Sequence, residues 1–283
     1  MELKNVVVIA NGSKPEAESI AEEIRHYLAL HGMLTDVYVT KDSDEDIQLS
    51  IKSDLVVSVG GDGTVLYCAR LVQNLGIPIL AVNLGTFGYI TEIGRGEWQS
   101  VFEDIFGDRE RLSRRLMLRV SVMRKGVKVY QATGLNEAVV SSAGISKVVK
   151  LDLSINSTVA GRFKSDGLII ATPTGSTGYS LAAGGPIVDC EMSAFIITPI
   201  CPFTLSNRPL VLGGSEVITM NVPEGQRTDL MLTVDGQQTF DLMEGDDVIV
   251  EKSRSRILLV SSNVRNYTEV IRAKLNWTGE LHA

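Results

Sequence analysis

Residues 54–70 read DLVVSVGGDGTVLYCAR, and they commit the chain to an α/β layout before anything else is considered. Residues 55–59 form a short run of apolar or small side chains, the length of a strand buried on both faces. The run breaks at Gly60-Gly61-Asp62-Gly63-Thr64, and apolar residues then return at helical spacing as Val65, Leu66, Ala69 and Val72. Thr64 falls where a helix N-cap is expected. Strand, glycine turn and helix start, in that order, point backbone N–H groups at an anion. Asp62 would repel a bare phosphate, so its central place fits a group that handles a proton or a metal beside one. Asp-Gly pairs are also common turn formers on conformational grounds alone. Three glycines and one acid at the end of a buried strand favour a site, because open α/β sheets bind ligands at that edge.

The totals exclude several classes. With 283 residues the chain has room for two modest domains or one large one. A net charge of −7 argues against nucleic acid or an anionic membrane as partner. Unbroken apolar runs reach only about five residues, far short of the ~20 that span a bilayer. The opening MELKNVVVIA is too short in apolar residues for a signal peptide, so a cytoplasmic protein is expected. Cys68, Cys190 and Cys201 show no CxxC spacing and suit free thiols in a reducing compartment. His26, His31 and His282 adjoin no glycine-rich loop, which leaves a Ser-His-Asp hydrolase or a histidine zinc site without support.

Along the chain, residues 5–10 and 34–39 read as strands flanking a helix. That helix opens with an apparent capping box at Ser13-Lys14-Pro15-Glu16 and buries a stripe of Ala17, Ile20, Ala21, Ile24, Tyr27 and Leu28. The acidic residues 42–46 suit a solvated loop or helix start. Residues 77–83 make a further strand, and the alternation predicts a doubly wound parallel sheet. It empties into a second glycine-rich loop, NLGTFGYI, at the same sheet edge as Asp62. One of Phe87 and Tyr89 could stack on a base there, the other packing beneath the loop. An amphipathic helix over 97–106 and a charged connector complete a first domain of residues 1–115. Beyond it, short β-rich runs at 117–123, 127–132, 135–141, 147–155, 167–172, 194–199, 216–222, 229–234, 247–251 and 256–260 predict an all-β sandwich of residues 116–261. Residues 265–275 regain helical spacing and are expected to return to the first domain.

Three places in the β domain carry chemistry. Asn136-Glu137 opens an apolar strand and could read a base edge and hold ribose hydroxyls, or simply be a polar pair facing water. Residues 164–180, KSDGLIIATPTGSTGYS, feed a strand into a loop of hydroxyls and glycines suited to ribose, phosphate and adenine edges. A flexible linker would not interleave Pro173 and Tyr179 or sit between two apolar strands. Val234-Asp235-Gly236-Gln237 is a hairpin signal, and an ordinary turn when taken alone.

These motifs together resemble the NAD kinase family over nearly the whole chain: GGDGT at 60–64, NLGTFGY at 83–89, NE at 136–137, DG and TPTGSTGYSLAAGGP within 166–186, PICPFTLSNRPL at 199–210 and VDGQ at 234–237. GGDGT alone is shared with diacylglycerol-kinase-like and phosphofructokinase-like enzymes; the TPTGST segment makes the match specific. The resemblance implies an α/β domain plus a β-sandwich, and transfer of the γ-phosphoryl of ATP to the 2′-hydroxyl of the adenosine ribose of NAD. It implies Asp62 as general base, with Gly61, Gly63 and Thr64 shaping the phosphate loop and a divalent metal, magnesium, carried on ATP. NAD contacts fall on Asn136, Glu137, Lys164, Asp166, Thr174, Gln237 and the run Thr177, Gly178, Tyr179, Ser180, Leu181 and Ala182. Lys147 would add a basic contact, and Tyr89 would lie against the adenine. Asp166 and its neighbours would reach a nucleotide held mostly by another subunit, so a homo-oligomer, dimer or tetramer, is expected.

The chain departs from the family pattern at Gly178 (mostly alanine), Phe203 (often histidine), Lys164 (commonly arginine) and Tyr67 (basic or glycine in some members). Two other functions compete. A diacylglycerol- or sphingosine-type lipid kinase would share GGDGT but would want an apolar or basic surface. A non-catalytic NAD(P)-binding regulator would be expected to lack the acid.

Overall fold

In a computed structural model of the chain, residues 3–41, 52–85, 88–144, 148–204, 206–261 and 267–277 are described. The acidic stretch 42–46, Phe87, Lys147 and His282 lie outside them. The chain divides into two compact units, residues 1–114 with 257–283, and residues 115–256.

The first unit alternates strand and helix: β1 (Asn5–Asn11), α1 (Ala17–Leu30), β2 (Leu34–Thr40), β3 (Leu55–Gly60), α2 (Asp62–Val72), β4 (Ile79–Asn83), β5 (Ile93–Gly94) and α3 (Trp98–Phe106). Its strands run parallel in the order β4-β3-β1-β2, with β5 beside β4. The order reverses between β1 and β3, so the crevice beyond their carboxyl ends is a topological switch point. Central strands of such a sheet are covered on both faces, and every residue of β3 and β4 is buried. Ala17, Ile20, Ala21, Ile24 and Leu28 of α1 supply the stripe against it, each large one contributing about 1.5–3 kcal/mol by burial.

Two expected helix starts differ. α1 begins at Ala17, and Glu16 makes no side-chain cap bond. Residues 11–14 are instead held in a turn, where Asn11 Oδ1 accepts the Ser13 N–H (3.0 Å) and Asn11 O accepts the Lys14 N–H (2.9 Å). In α2 the N-cap is Gly61, not Thr64, which lies one turn in and accepts the Gly61 N–H on Oγ1 at 3.4 Å.

The second unit opens within β6 (Arg111–Arg124), whose first four residues belong to the first unit, and goes on through β7 (Val127–Gly134), β8 (Glu137–Ser142), β9 (Val149–Ile155), β10 (Thr158–Ser165) and β11 (Gly167–Ala171). A 3₁₀ turn (Thr174–Thr177) and a single helical turn, α4 (Tyr179–Ala182), follow. Then come β12 (Ala194–Ile200), β13 (Leu210–Gly213), β14 (Ile218–Asn221), β15 (Leu230–Val234), β16 (Gln238–Leu242) and β17 (Asp247–Ser261). One antiparallel sheet runs β13-β12-β11-β8-β15-β16; the other runs β10-β9-β14-β17, with β6 pairing to β17 and β7. Alternate residues of both sheets, among them Leu118, Val140, Leu151, Ile170, Phe195 and Leu232, share one core, the packing of a β-sandwich.

Three strands, β10, β13 and β16, were not expected. They form sheet edges, and each buries at most one residue, so burial imposes little apolar pattern on them. The two runs at 247–251 and 256–260 are one strand, β17, whose last residues Leu259 and Val260 belong to the first unit and pair parallel with β4. α5 (Tyr267–Lys274) buries Val270 and Ile271, also in the first unit. No helix among the described residues is long and apolar enough to cross a membrane.

Candidate active site

Asp62 is the first residue of α2 and follows directly on the glycines that end β3. Its carboxylate is held by the loop after β4. Oδ1 accepts the Ile90 N–H (3.3 Å), the Thr91 N–H (3.1 Å) and the Thr91 hydroxyl (2.9 Å), and Oδ2 accepts the Tyr89 N–H (2.9 Å). Thr91 is itself fixed, since its Oγ1 accepts from Gly88 N (3.1 Å) and from Asn83 Nδ2 (2.8 Å). Asn83 Oδ1 in turn accepts the Gly85 N–H at 2.7 Å. Gly88 is required here because any Cβ would overlap both Asp62 Oδ1 and Thr91 Oγ1. Oδ1 is thus spent on the fold, while Oδ2, with a single donor, retains acceptor capacity.

Tyr89 lies beside that carboxylate, its ring 5.6 Å from Lys274 Nζ of α5. Partial burial pushes its phenol up, and the Asp62 charge adds to the shift. Cys68, further along α2, is fully buried and its thiol is pushed up to about 12, which removes it from nucleophilic chemistry. Among the described residues no three His, Cys, Asp or Glu side chains come together as a metal cage.

In the second unit Glu137 starts β8 and Asn136 directly precedes it, and both are buried. A Cβ at Gly175 would strike the Asn136 carbonyl, and one at Gly178 would stand 2.9 Å from Glu137 Oε2 and 3.4 Å from Asn136 Nδ2, so the glycine loop lies directly on the pair. Asn136 Oδ1, Glu137 Oε2 and Thr174 Oγ1 are buried without a hydrogen-bond partner. Three orphaned acceptors in one place are costly unless a ligand donates to them. Burial pushes the Glu137 carboxyl up to about 8; the nearby Asp235 charge adds to this, and the Tyr179 amide opposes it.

Asp235 holds the pair from below. Its carboxylate accepts the N–H groups of Leu135 (2.7 Å), Asn136 (2.8 Å) and Glu137 (3.0 Å). It sits at φ 53° with Gly236 at 67°, the two left-handed residues of a tight hairpin turn between β15 and β16. Gln237 closes that turn through its N–H to Val234 O at 3.0 Å.

The remaining candidates differ in placement. Thr177 Oγ1 donates to Thr174 O (3.2 Å), Tyr179 is exposed, and Leu181 and Ala182 complete α4 at the surface. Ser180 is fully buried and bonded to Thr198 Oγ1 at 2.8 Å, so its hydroxyl faces inward. Lys164, in β10, and Asp166, between β10 and β11, precede β11, about 20 Å of extended chain from the loop that follows its other end. The structure does not bring them together with Asn136 and Glu137. Lys147 lies outside the described residues. Sequence reasoning held Asn83 and Gly88 within the NLGTFGYI loop and Asp235 within the VDGQ turn without giving any of them a role of its own, and it missed Thr91.

A glycine turn with a fixed carboxylate at a parallel sheet edge, plus a cluster of buried, unsatisfied acceptors in a β-sandwich, define a two-unit nucleotide phosphotransferase. Residues 48–110 match the ATP-NAD kinase N-terminal domain family, and residues 135–262 match the ATP-NAD kinase C-terminal domain family. The NAD kinase of Treponema denticola is 38% identical over 98% of this chain and 98% of its own length; that of Citrifermentans bemidjiense is 39% identical over 97% and 99%. A yeast NADH kinase crystallised with NADH superposes with a TM-score of 0.87 at 26% identity, covering 99% of this chain and 89% of that one. An NAD kinase from Archaeoglobus fulgidus in complex with ATP gives 0.77 at 25% identity, covering 96% and 99%. The chain belongs to the NAD kinase family, whose members are phosphotransferases.

Proposed function

We propose that this chain converts NAD and ATP to NADP and ADP, with Asp62 as the general base. The oxygen of the adenosine 2′-hydroxyl attacks the γ-phosphorus as the bond to the β,γ-bridging oxygen breaks and ADP leaves. The hydroxyl proton passes to Asp62 Oδ2. The observation that carries this reading is the Asp62 carboxylate itself, with one oxygen anchored by three hydrogen bonds and the other by only one. An alcohol is a weak acid, so the base acts late and most of the acceleration comes from alignment and charge neutralisation.

Gly61, Gly63 and Thr64 shape the donor's phosphate loop, and Tyr89 lies against the adenine. NAD is held in the second unit by Asn136, Glu137, Thr174, Thr177, Gly178, Tyr179, Ser180, Leu181, Ala182 and Gln237, with Ser180 acting through its backbone because its hydroxyl is turned inward. Lys147 adds a cation. Lys164 and Asp166 serve a nucleotide on a second copy of the chain, a reading supported by their distance along β11 from the glycine loop. A homo-oligomer is further supported by exposed Phe203, Leu210 and Val211, two of them on the edge strand β13. Magnesium enters on the triphosphate, whose hard oxygens suit it better than any side-chain set among the described residues, and neutralises charge on the transferring group. A cytoplasmic location is supported by the free thiols Cys68, Cys190 and Cys201, which suit a reducing compartment.

Purified protein with NAD, ATP and magnesium should form NADP, read by an NADP-specific dehydrogenase. No NADP from these substrates, with labelled phosphate instead entering an extracted lipid phase, would contradict the proposal.

A further inference from the structure

The loop after β1 places a cation at the switch point of the parallel sheet. Lys14 is pinned through its own N–H to Asn11 O at 2.9 Å, and its side chain runs across the carboxyl ends of the neighbouring strands. A Cβ at Gly61 would stand 3.5 Å from Lys14 Nζ, and a Cβ at Gly85 would stand 3.4 Å from it. The ammonium is therefore packed between the glycine turn after β3 and the glycine loop after β4, in space that any side chain at either glycine would crowd. It is partly buried. It makes no ion pair or hydrogen bond with the described residues, although the chain carries 34 carboxylate side chains and a net charge of −7. The neighbouring cation Arg95 is, by contrast, paired with Glu16 at 2.6 Å. Gly85 also lines a cavity of about 420 Å³ with Asn83, Arg95 and Glu97.

A half-buried ammonium without a counter-ion, set between two glycine loops beside an open cavity, has lost part of its hydration and gained nothing in return. An anion with several oxygens would supply what it lacks, and its three donors suit phosphate oxygens. We propose that Lys14 binds the triphosphate of the phosphoryl donor from the β1 side, opposite the backbone of the glycine turn. The assignment rests on the kinase reading for the identity of the donor. The lysine supplies charge and hydrogen bonds only; no bond forms or breaks at its nitrogen.

The test compares wild type with Lys14→Met, which keeps the stem and removes the charge, and with Lys14→Arg, which restores a cation. The KM for ATP should rise about tenfold or more in Lys14→Met, the loss expected for one charge-assisted hydrogen bond, and recover in part in Lys14→Arg. The KM for NAD should stay within about twofold, since a single charge-assisted contact is at stake and it lies on the donor. Inorganic tripolyphosphate, titrated calorimetrically into wild type and Lys14→Met, should bind the variant correspondingly more weakly. An unchanged KM for ATP together with unchanged tripolyphosphate affinity would overturn the assignment. Because the titration needs no turnover, it judges Lys14 even if wild type made no NADP, a result that would sink the kinase reading separately.

Discussion

On the proposed mechanism Asp62 does two jobs through two oxygens, and this limits what a substitution there can report. Asp62→Asn leaves an acceptor for the three donors on Oδ1 but turns an amide toward the Tyr89 N–H, at a cost of about 1–3 kcal/mol for the unmatched donor. Glu137 is the other residue whose environment sets its chemistry. An open chain holds a glutamate near its ordinary 4.5, whereas burial and Asp235 raise this one to about 8. Folded protein thus keeps a proton that unfolded protein has released, so the contribution to stability is full below about pH 4.5 and is lost as pH rises toward 8. The proposed contact, a ribose hydroxyl donating to Glu137, is stronger to the ionised carboxylate than to its protonated form. NAD affinity should therefore rise with pH between 6 and 8, by at most about tenfold per unit, and level off above. Titrations of NAD at several pH values, repeated on Glu137→Gln, check this; the variant should show no such rise, and a flat wild-type profile would refute the ionised contact.

Elements decide which of these residues can meet. The glycine turn was legible because the strand and helix on either side of it are local and strongly periodic, and the stretch from Thr172 to Gly185 because its composition fits no ordinary linker. What escaped reading reaches its partner across the chain. Thr91 finds Asp62 from 29 positions away, and Asp235 finds Asn136 from 99. Neither spacing leaves a periodic trace. The edge strands β10, β13 and β16 were missed because none buries more than one of its residues, so little selects an apolar face, and β13 is only four residues long. Close backbone approach is equally invisible in a sequence, and it yields a sharp prediction at Gly175. A methyl group there would strike the Asn136 carbonyl, which no rotamer change can relieve. Gly175→Ala should weaken NAD binding at least about tenfold and cost about 1–3 kcal/mol of stability by overpacking, measured by isothermal titration and thermal melting.

At the scale of the whole molecule the proposed site residues divide between two compact units. The carboxylate, the glycine turn and Lys14 belong to residues 1–114, and the orphaned acceptors with their Asp235 support belong to residues 115–256. Each half was readable because each has its own pattern, parallel βα alternation in one and short antiparallel strands in the other. β17 hid the link between them, being a single strand that passes from the second unit to the first while reading as two separate runs. The division implies that removing the proton acceptor should stop chemistry without releasing NAD. The measurement that tests this most directly is kcat for NADP formation alongside the dissociation constant for NAD, both in Asp62→Asn and in wild type. The account predicts that kcat falls by about 10²–10⁴-fold, the usual contribution of a general base, while the NAD dissociation constant stays within a few-fold of wild type. Near-normal kcat in the variant would contradict it.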